Sequence, residues 1–304
     1  MKVAVQLFGH LRTYNKCYKY LKRFLLDKYD CDVFMHTWST IEHSTKTHHD
    51  NKVLNNTSAY KEEDFLIKNI IRLSENLLIE EQYPQDLGDI ITLHNMHVSI
   101  FGIKSMFYSM GKANKLREDY ERKHNITYDY IIFIRPDILL KKFFDINHFL
   151  CGLSSEEIKK GFFTTSCPFF GIHNNIQNVG LTDVLFLGKP SVMSDIFSNQ
   201  SEITKDISKG IKINGPETFL MNFVEKKGYK IYLINYYKYF DFEILRPINF
   251  KNIRKKLIRL RVRNRTVSLY FMQIWITQIF RIKFTILGKW TIDICIGSLN
   301  DKLK

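Results

Sequence analysis

The sequence predicts an α/β protein, an open and mostly parallel sheet flanked by helices, with a basic C-terminal helical appendage. Three observations carry that expectation. A strand–helix–strand pattern opens the chain, an apolar run near its middle ends in Arg135-Pro136-Asp137, and positive charge gathers at its end.

Val3 to Phe8 is apolar and stops at Gly9-His10-Leu11-Arg12, as a buried strand stops at a glycine turn. Tyr14, Tyr18, Leu21 and Leu25 recur at helical spacing over 13–29, and Cys31-Asp32-Val33-Phe34-Met35-His36-Thr37-Trp38 returns as a strand. Residues 39–63 are rich in His, Thr, Asn and Lys without a sustained period, a long connection of the kind that carries function above strand ends. Helical patterns follow at about 62–80 and 103–123. Tyr128-Asp129-Tyr130-Ile131-Ile132-Phe133-Ile134, bounded by Pro136, reads as a central parallel strand covered on both faces. Further strands are expected at 161–165 and 183–188, with a helix after Pro190. Gly215-Pro216-Glu217 opens another helix, its proline in the first turn, which ends near Lys227-Gly228 before a last strand at 229–234. The sequence contains no internal repeat and no low-complexity linker.

With 304 residues, 45% of them hydrophobic and 14% aromatic, the chain is too apolar for disorder and long enough for a large core. Five cysteines (Cys17, Cys31, Cys151, Cys167, Cys295) are odd in number, scattered and without CxxC spacing. They suggest neither a disulfide framework nor a zinc site, and point to a reducing compartment. No signal-peptide core precedes the first strand, so cytoplasmic residence is expected. The formal charge of +14 is unevenly placed: 13 basic and two acidic residues lie between Phe250 and Lys304, leaving residues 1–249 nearly neutral. Lys251 to Arg265 hold eight basic residues and no acid, and Thr266 to Phe280 are 15 uncharged residues rich in Ile, Phe, Leu and Trp. That stretch is too short to span a bilayer comfortably, and its juxtaposition with a basic run suits a helix lying on an anionic membrane surface. Packing of the same segment on the core is the alternative. Residues 1–249 are expected to form the catalytic domain and 250–304 the appendage.

Arg135-Pro136-Asp137 places a carboxylate just past the carboxyl end of the central strand, where open α/β sheets bind ligands. A departing diphosphate is neutralised by a cation held on a carboxylate or directly by an arginine, and both types lie two residues apart. A salt-bridged turn is the plain alternative. Gly9 permits close backbone approach, and Arg12 can reach a phosphate or base. The turn is not a GxGxxG fingerprint, and no Walker-type sequence occurs. Trp38, beside His36 and Thr37, either stacks on a ring or fills core. His43, His48 and His49 lack metal-site spacing and read as solvated, and His94 and His97 as structural. Asp183 at a strand mouth and Glu217 at a helix start are candidate carboxylates for proton abstraction or for stabilising developing positive charge. At a helix N-terminus Glu217 also complements the macrodipole.

Taken together, Gly9-His10-Leu11-Arg12, Asp32-Val33-Phe34-Met35-His36-Thr37-Trp38, Ser105-Met106-Phe107-Tyr108-Ser109-Met110-Gly111-Lys112-Ala113 and Tyr128–Asp137 resemble the ordered motifs of bacterial lipopolysaccharide and capsule glycosyltransferases. Thr182-Asp183-Val184-Leu185-Phe186 and Gly215-Pro216-Glu217 are similar to the later acidic blocks of that family, and the resemblance spans about 1–240. It implies a GT-A-like fold with a nucleotide-binding half (about 1–140) and an acceptor half (about 141–249). It also implies a nucleotide-sugar donor and an oligosaccharide or lipid-linked acceptor at the inner face of the cytoplasmic membrane. Gly9, His10, Arg12, His36, Trp38, Lys112, Arg135 and Asp137 then contact the donor, with Lys104 adding charge, and Asp183 and Glu217 face the reacting groups. Asp137 takes the place of a DxD metal ligand for Mg²⁺ or Mn²⁺. Arg135 stands where the first aspartate of that motif belongs, so a guanidinium takes over part of the cation's task. Two rivals are a sugar-phosphate transferase of capsule synthesis, which differs in releasing a nucleoside monophosphate, and a basic nucleic-acid-binding protein. The last is disfavoured because the basic run has no recognition motif and would leave residues 1–249 without a task.

Overall fold

The computed structural model describes residues 1–40, 71, 74–80, 90–93, 96–166, 181–198, 203, 216–238 and 240–245. The chain divides into two units, Met1–Arg246 and Pro247–Lys304; the whole of the second lies outside the described residues, as does the basic segment expected to meet a membrane. His43, His48, His49 and His94 also lie outside them.

The first unit is α/β, with a mostly parallel seven-stranded mixed sheet flanked by helices. β1 (Lys2–Phe8) is central, paired in parallel with β2 (Asp30–Trp38) on one side and with β6 (Tyr130–Ile134) on the other. β3 (Leu77–Glu80) adds in parallel to β2. Beyond β6 come β9 (Leu181–Gly188), antiparallel to its neighbours, then β8 (Gly161–Ser166) and β10 (Lys230–Tyr237). The spatial order is β10-β8-β9-β6-β1-β2-β3. Two small ribbons complete the strands: β4 (Ile90–Leu93) with β5 (Met96–Ser99), and β7 (Ile138–Leu140) with β11 (Phe242–Ile244).

Alternation along β1 sorts two cores. Val3, Val5 and Leu7 point to the face covered by α1 (Tyr14–Phe24), where Tyr14 and Leu21 join Ile132, Ile134, Ile138 and Leu140. Ala4 and Phe8 point to the other face. There α2 (Ile100–His124), α5 (Pro190–Phe197) and α6 (Pro216–Lys226) bring Phe107, Met110, Phe197 and Phe223 against Phe133 and Phe186. Both faces of β6 are thus dry, which is why its sequence runs apolar without alternation. Short helices α3 (Ile146–Leu150) and α4 (Ser155–Lys160) bridge β7 to β8, the latter started by a reciprocal Ser154–Glu157 capping box. Arg117 of α2 is buried and shared among Asn114, Glu118, Glu121 and Ser194.

The expected helix at about 62–80 is corrected over its described end. Residues 74–76 make a 3-10 turn, and Leu77-Leu78-Ile79-Glu80 is an edge strand. A short apolar run has no period to separate helix from strand, and pairing with Met35–Trp38 decides it.

Candidate active site

β1 and β6 lie side by side, yet the chain leaves them in opposite directions, β1 toward β2 through α1 and β6 toward β8 beyond β9. Such a reversal of strand order opens a crevice at the carboxyl ends, because the following connections diverge to either side. The turns that leave β1 and β6 at this point contain Gly9–Arg12 and Arg135–Asp137.

Asp137 is fully buried. Arg135 donates to it as a fork, Nε to Oδ1 at 3.0 Å and one terminal nitrogen to Oδ2 at 2.6 Å. Arg12 donates to Oδ2 at 3.1 Å, so the carboxylate ties the two turns together across the reversal. The arginine side chains keep 15% (Arg12) and 12% (Arg135) of their surface, whereas the Asp137 side chain keeps none. Two guanidiniums thus bond to one carboxylate. Backbone bonds fix the trio: Arg135 N–H to the Val184 carbonyl (3.1 Å), Leu245 N–H to the Asp137 carbonyl (2.8 Å), and Thr13 Oγ1 to the Leu245 carbonyl (2.5 Å). Arg12 itself adopts a left-handed conformation, φ 47°, rare for a residue with a Cβ and typical of functional turns.

A metal role for Asp137 has to accommodate this geometry. Its oxygens already accept from two cations, and a divalent ion placed there would have to displace both guanidiniums and lie against their charge. Among the described residues no group of three or more His, Cys, Asp or Glu is arranged to hold a metal ion. In the described structure Asp137 is bonded by the two arginines.

Asp183 and Glu217 converge on the same place from β9 and α6. Partial burial, then the neighbouring charge of Asp183, pushes the Glu217 carboxyl up to about 7, against the lowering influence of Lys238 and Arg135. A carboxyl raised toward neutrality beside a second acidic residue and an arginine is suited to general acid–base work. Cys17, in contact with Thr13 Oγ1 (3.9 Å), has its thiol pushed up to about 12 by burial, which disfavours the thiolate.

The remaining candidates form a second cluster behind the Gly9 turn. The Gly9 N–H donates to Ser109 Oγ (2.7 Å), and His36 reaches Ser109 Oγ through Nδ1 (2.8 Å) and Glu80 through Nε2 (2.9 Å). Burial lowers the imidazole pKa, Glu80 opposing, and the same hydrogen bond draws the Glu80 carboxyl down to about 2. The order Ser–His–Glu has the form of a nucleophile relay, but Ser109 is fully buried and its oxygen clasps Gly9, so it works as a brace. Lys112 binds Glu80 (3.3 Å) and overlies Tyr108, which places it with the brace and not with the arginines. Trp38 is 5% exposed, packed on His36 (4.9 Å) and stacked with Tyr108 (5.7 Å). His10 is likewise buried, its Nδ1 at 3.1 Å from the Thr40 carbonyl.

The structure therefore brings Arg12, Arg135, Asp137, Asp183 and Glu217 to one place and sets Gly9, His10, His36, Trp38 and Lys112 beside it as support. Sequence reasoning missed Glu80, Ser109, Tyr108 and Lys238. Ser109 and Tyr108 lay inside a quoted motif, whereas Glu80 and Lys238 carried no local signal. The chain matches no family model, and no curated protein is similar to it.

Proposed function

We propose that this chain is a glycosyltransferase with a GT-A-like fold that moves a sugar from a nucleotide-diphosphate donor to a surface-polysaccharide or lipid-linked acceptor. The observation that carries the reading is the pair Arg12 and Arg135, pinned on buried Asp137 where the strand order reverses. A diphosphate leaving group develops negative charge as its bond to the sugar breaks, and preorganised guanidiniums stabilise that charge without reorganisation. In this reading the Gly9 turn admits the nucleotide close to backbone. Asp183 and Glu217 then lie where an acceptor hydroxyl or the sugar meets the arginines, one accepting a proton while the other is held protonated. Among the described residues no helix is long and apolar enough to cross a membrane. We place the enzyme in the cytoplasm at the inner membrane face, reaching its acceptor from there.

The test is incubation of the full-length protein with a panel of nucleotide sugars, reading nucleoside diphosphate release and nucleotide-dependent thermal stabilisation. Release from at least one donor, unchanged by a chelator and lost in Arg135→Ala, is the expected result. Neither release nor stabilisation with any donor would overturn the reading, and release of nucleoside monophosphate would move it to sugar-phosphate transfer.

A further inference from the structure

The outward face of α1 has a composition that its packing does not require. Over Tyr14–Phe24 it carries Lys16, Lys19, Lys22 and Arg23 and no acid. Tyr20 on this face is 43% exposed, and Phe143, just beyond β7, is 55% exposed. Phe24 joins them, stacked on Tyr20 at 6.4 Å and meeting Phe143 edge-on at 5.2 Å, with the Arg23 guanidinium over its ring at 5.2 Å. Three rings from two elements thus form one strip edged by cations. Lys22 is answered by Asp27 and Lys142 by Asp241, while Lys16, Lys19 and Arg23 meet no carboxylate among the described residues.

We propose that this face docks on an anionic lipid surface. Phe143 and Tyr20 would lie at the boundary of headgroups and acyl chains, and Lys16, Lys19 and Arg23 on lipid phosphates. Isolated exposed rings are ordinary, but a contiguous aromatic strip rimmed by one sign of charge marks an interaction surface. Its charge selects an anionic occupant, and its rings need an apolar one; a bilayer rich in anionic lipid offers both in one plane. A second copy of the chain does not suit the face, because it would set the same cations against each other. A nucleic acid suits it less, because Phe24 is already engaged by Tyr20 and Arg23. Arg12 and Thr13 lead directly into α1, so a bilayer held at Tyr20 lies about 10 Å along the helix from the site loop. The proposal does not rest on the transferase reading and concerns residues of α1 and Phe143, not residues 250–304.

Sedimentation of the full-length protein with phosphatidylcholine vesicles, with and without phosphatidylglycerol, tests it. Partitioning is expected only with phosphatidylglycerol and should weaken as salt screens the contact. The combined Lys16→Glu, Lys19→Glu and Arg23→Glu variant should bind at least about 100-fold more weakly, from about fivefold for each cation lost. Tyr20→Ser with Phe143→Ser should weaken binding about tenfold. All five side chains are surface groups, so the melting temperature checks that the fold is kept. A control variant carries the same charge change on α2 (Lys115→Glu, Arg122→Glu, Lys123→Glu) and should bind as the wild type does. Equal partitioning of the α1 variants and the wild type overturns the proposal, as does an equal loss in the control. Concentration-dependent self-association abolished by the α1 changes, or RNA retained more tightly than vesicles, also overturns it. Nucleotide binding by the same variants should be unchanged, so failure here and failure of the transferase reading are distinguishable.

Discussion

A carboxylate without exposed surface costs several kcal/mol to desolvate unless its partners return that energy, and Asp137 has two guanidiniums to do so. Removing the fork leaves the charge short of a partner, so Arg135→Ala should cost about 3–5 kcal/mol of stability, read by urea unfolding. Arg135→Lys keeps the charge but cannot make the two-pronged bond, and should cost less while still weakening donor binding. If the two variants prove equally stable to the wild type, Asp137 does not depend on the fork. A second prediction at this scale concerns pH. The Glu217 carboxyl titrates near 7 in the folded chain, against 4.5 as its ordinary value, so the native state binds more protons between these limits. Stability should therefore fall as pH rises from 4.5 through 7, and Glu217→Gln should flatten that slope. A slope of the same size in the variant would assign it to another group.

At the scale of elements, the Gly9 turn depends on a helix about 100 residues away. Gly9 has φ 93° with open space where a Cβ would stand, so Gly9→Ala meets conformational strain and no clash. Its N–H is held by Ser109 on α2, and Ser109→Ala should cost about 1–3 kcal/mol in thermal unfolding by leaving that donor unmatched. The β1, β2 and β6 strands, α1, α2, α5 and α6 were legible in the sequence because each shows a sustained apolar run or period. β7, β11, α3 and α4 were not. They are 3–6 residues long, too short for a period to show; β7 and β11 exist through pairings such as Ile138 with Ile244, which no local pattern encodes, and α3 and α4 carry only the local caps Asp145 and Ser154. The same limit explains the site. Arg12, Arg135 and Asp137 were visible because each follows a clear strand, and the Arg135–Asp137 pair is local, but the bond from Arg12 to Asp137 joins strands far apart in sequence. Glu80 was hidden because its strand was read as a helix, and only the pairing of β3 with β2 brings it to His36.

For the whole molecule, the sheet order sets what a ligand can do to stability. A donor lying across the reversal between β1 and β6 contacts residues about 125 positions apart in the chain, a separation that only the folded state closes. Such a ligand binds the native chain and not the unfolded one, so saturation must raise stability by mass action, about 2.7 kcal/mol at 100 times the dissociation constant. The expected outcome is a rise in melting temperature with the preferred nucleotide sugar that a chelator leaves intact, because arginines supply the positive charge. Arg12→Ala should lower the melting temperature of the free chain modestly, since Asp137 keeps the Arg135 fork, but should remove most of the donor-induced rise. A rise that survives Arg12→Ala and vanishes with chelator would put the anion on a metal ion elsewhere and leave the two arginines as a structural tie between β1 and β6.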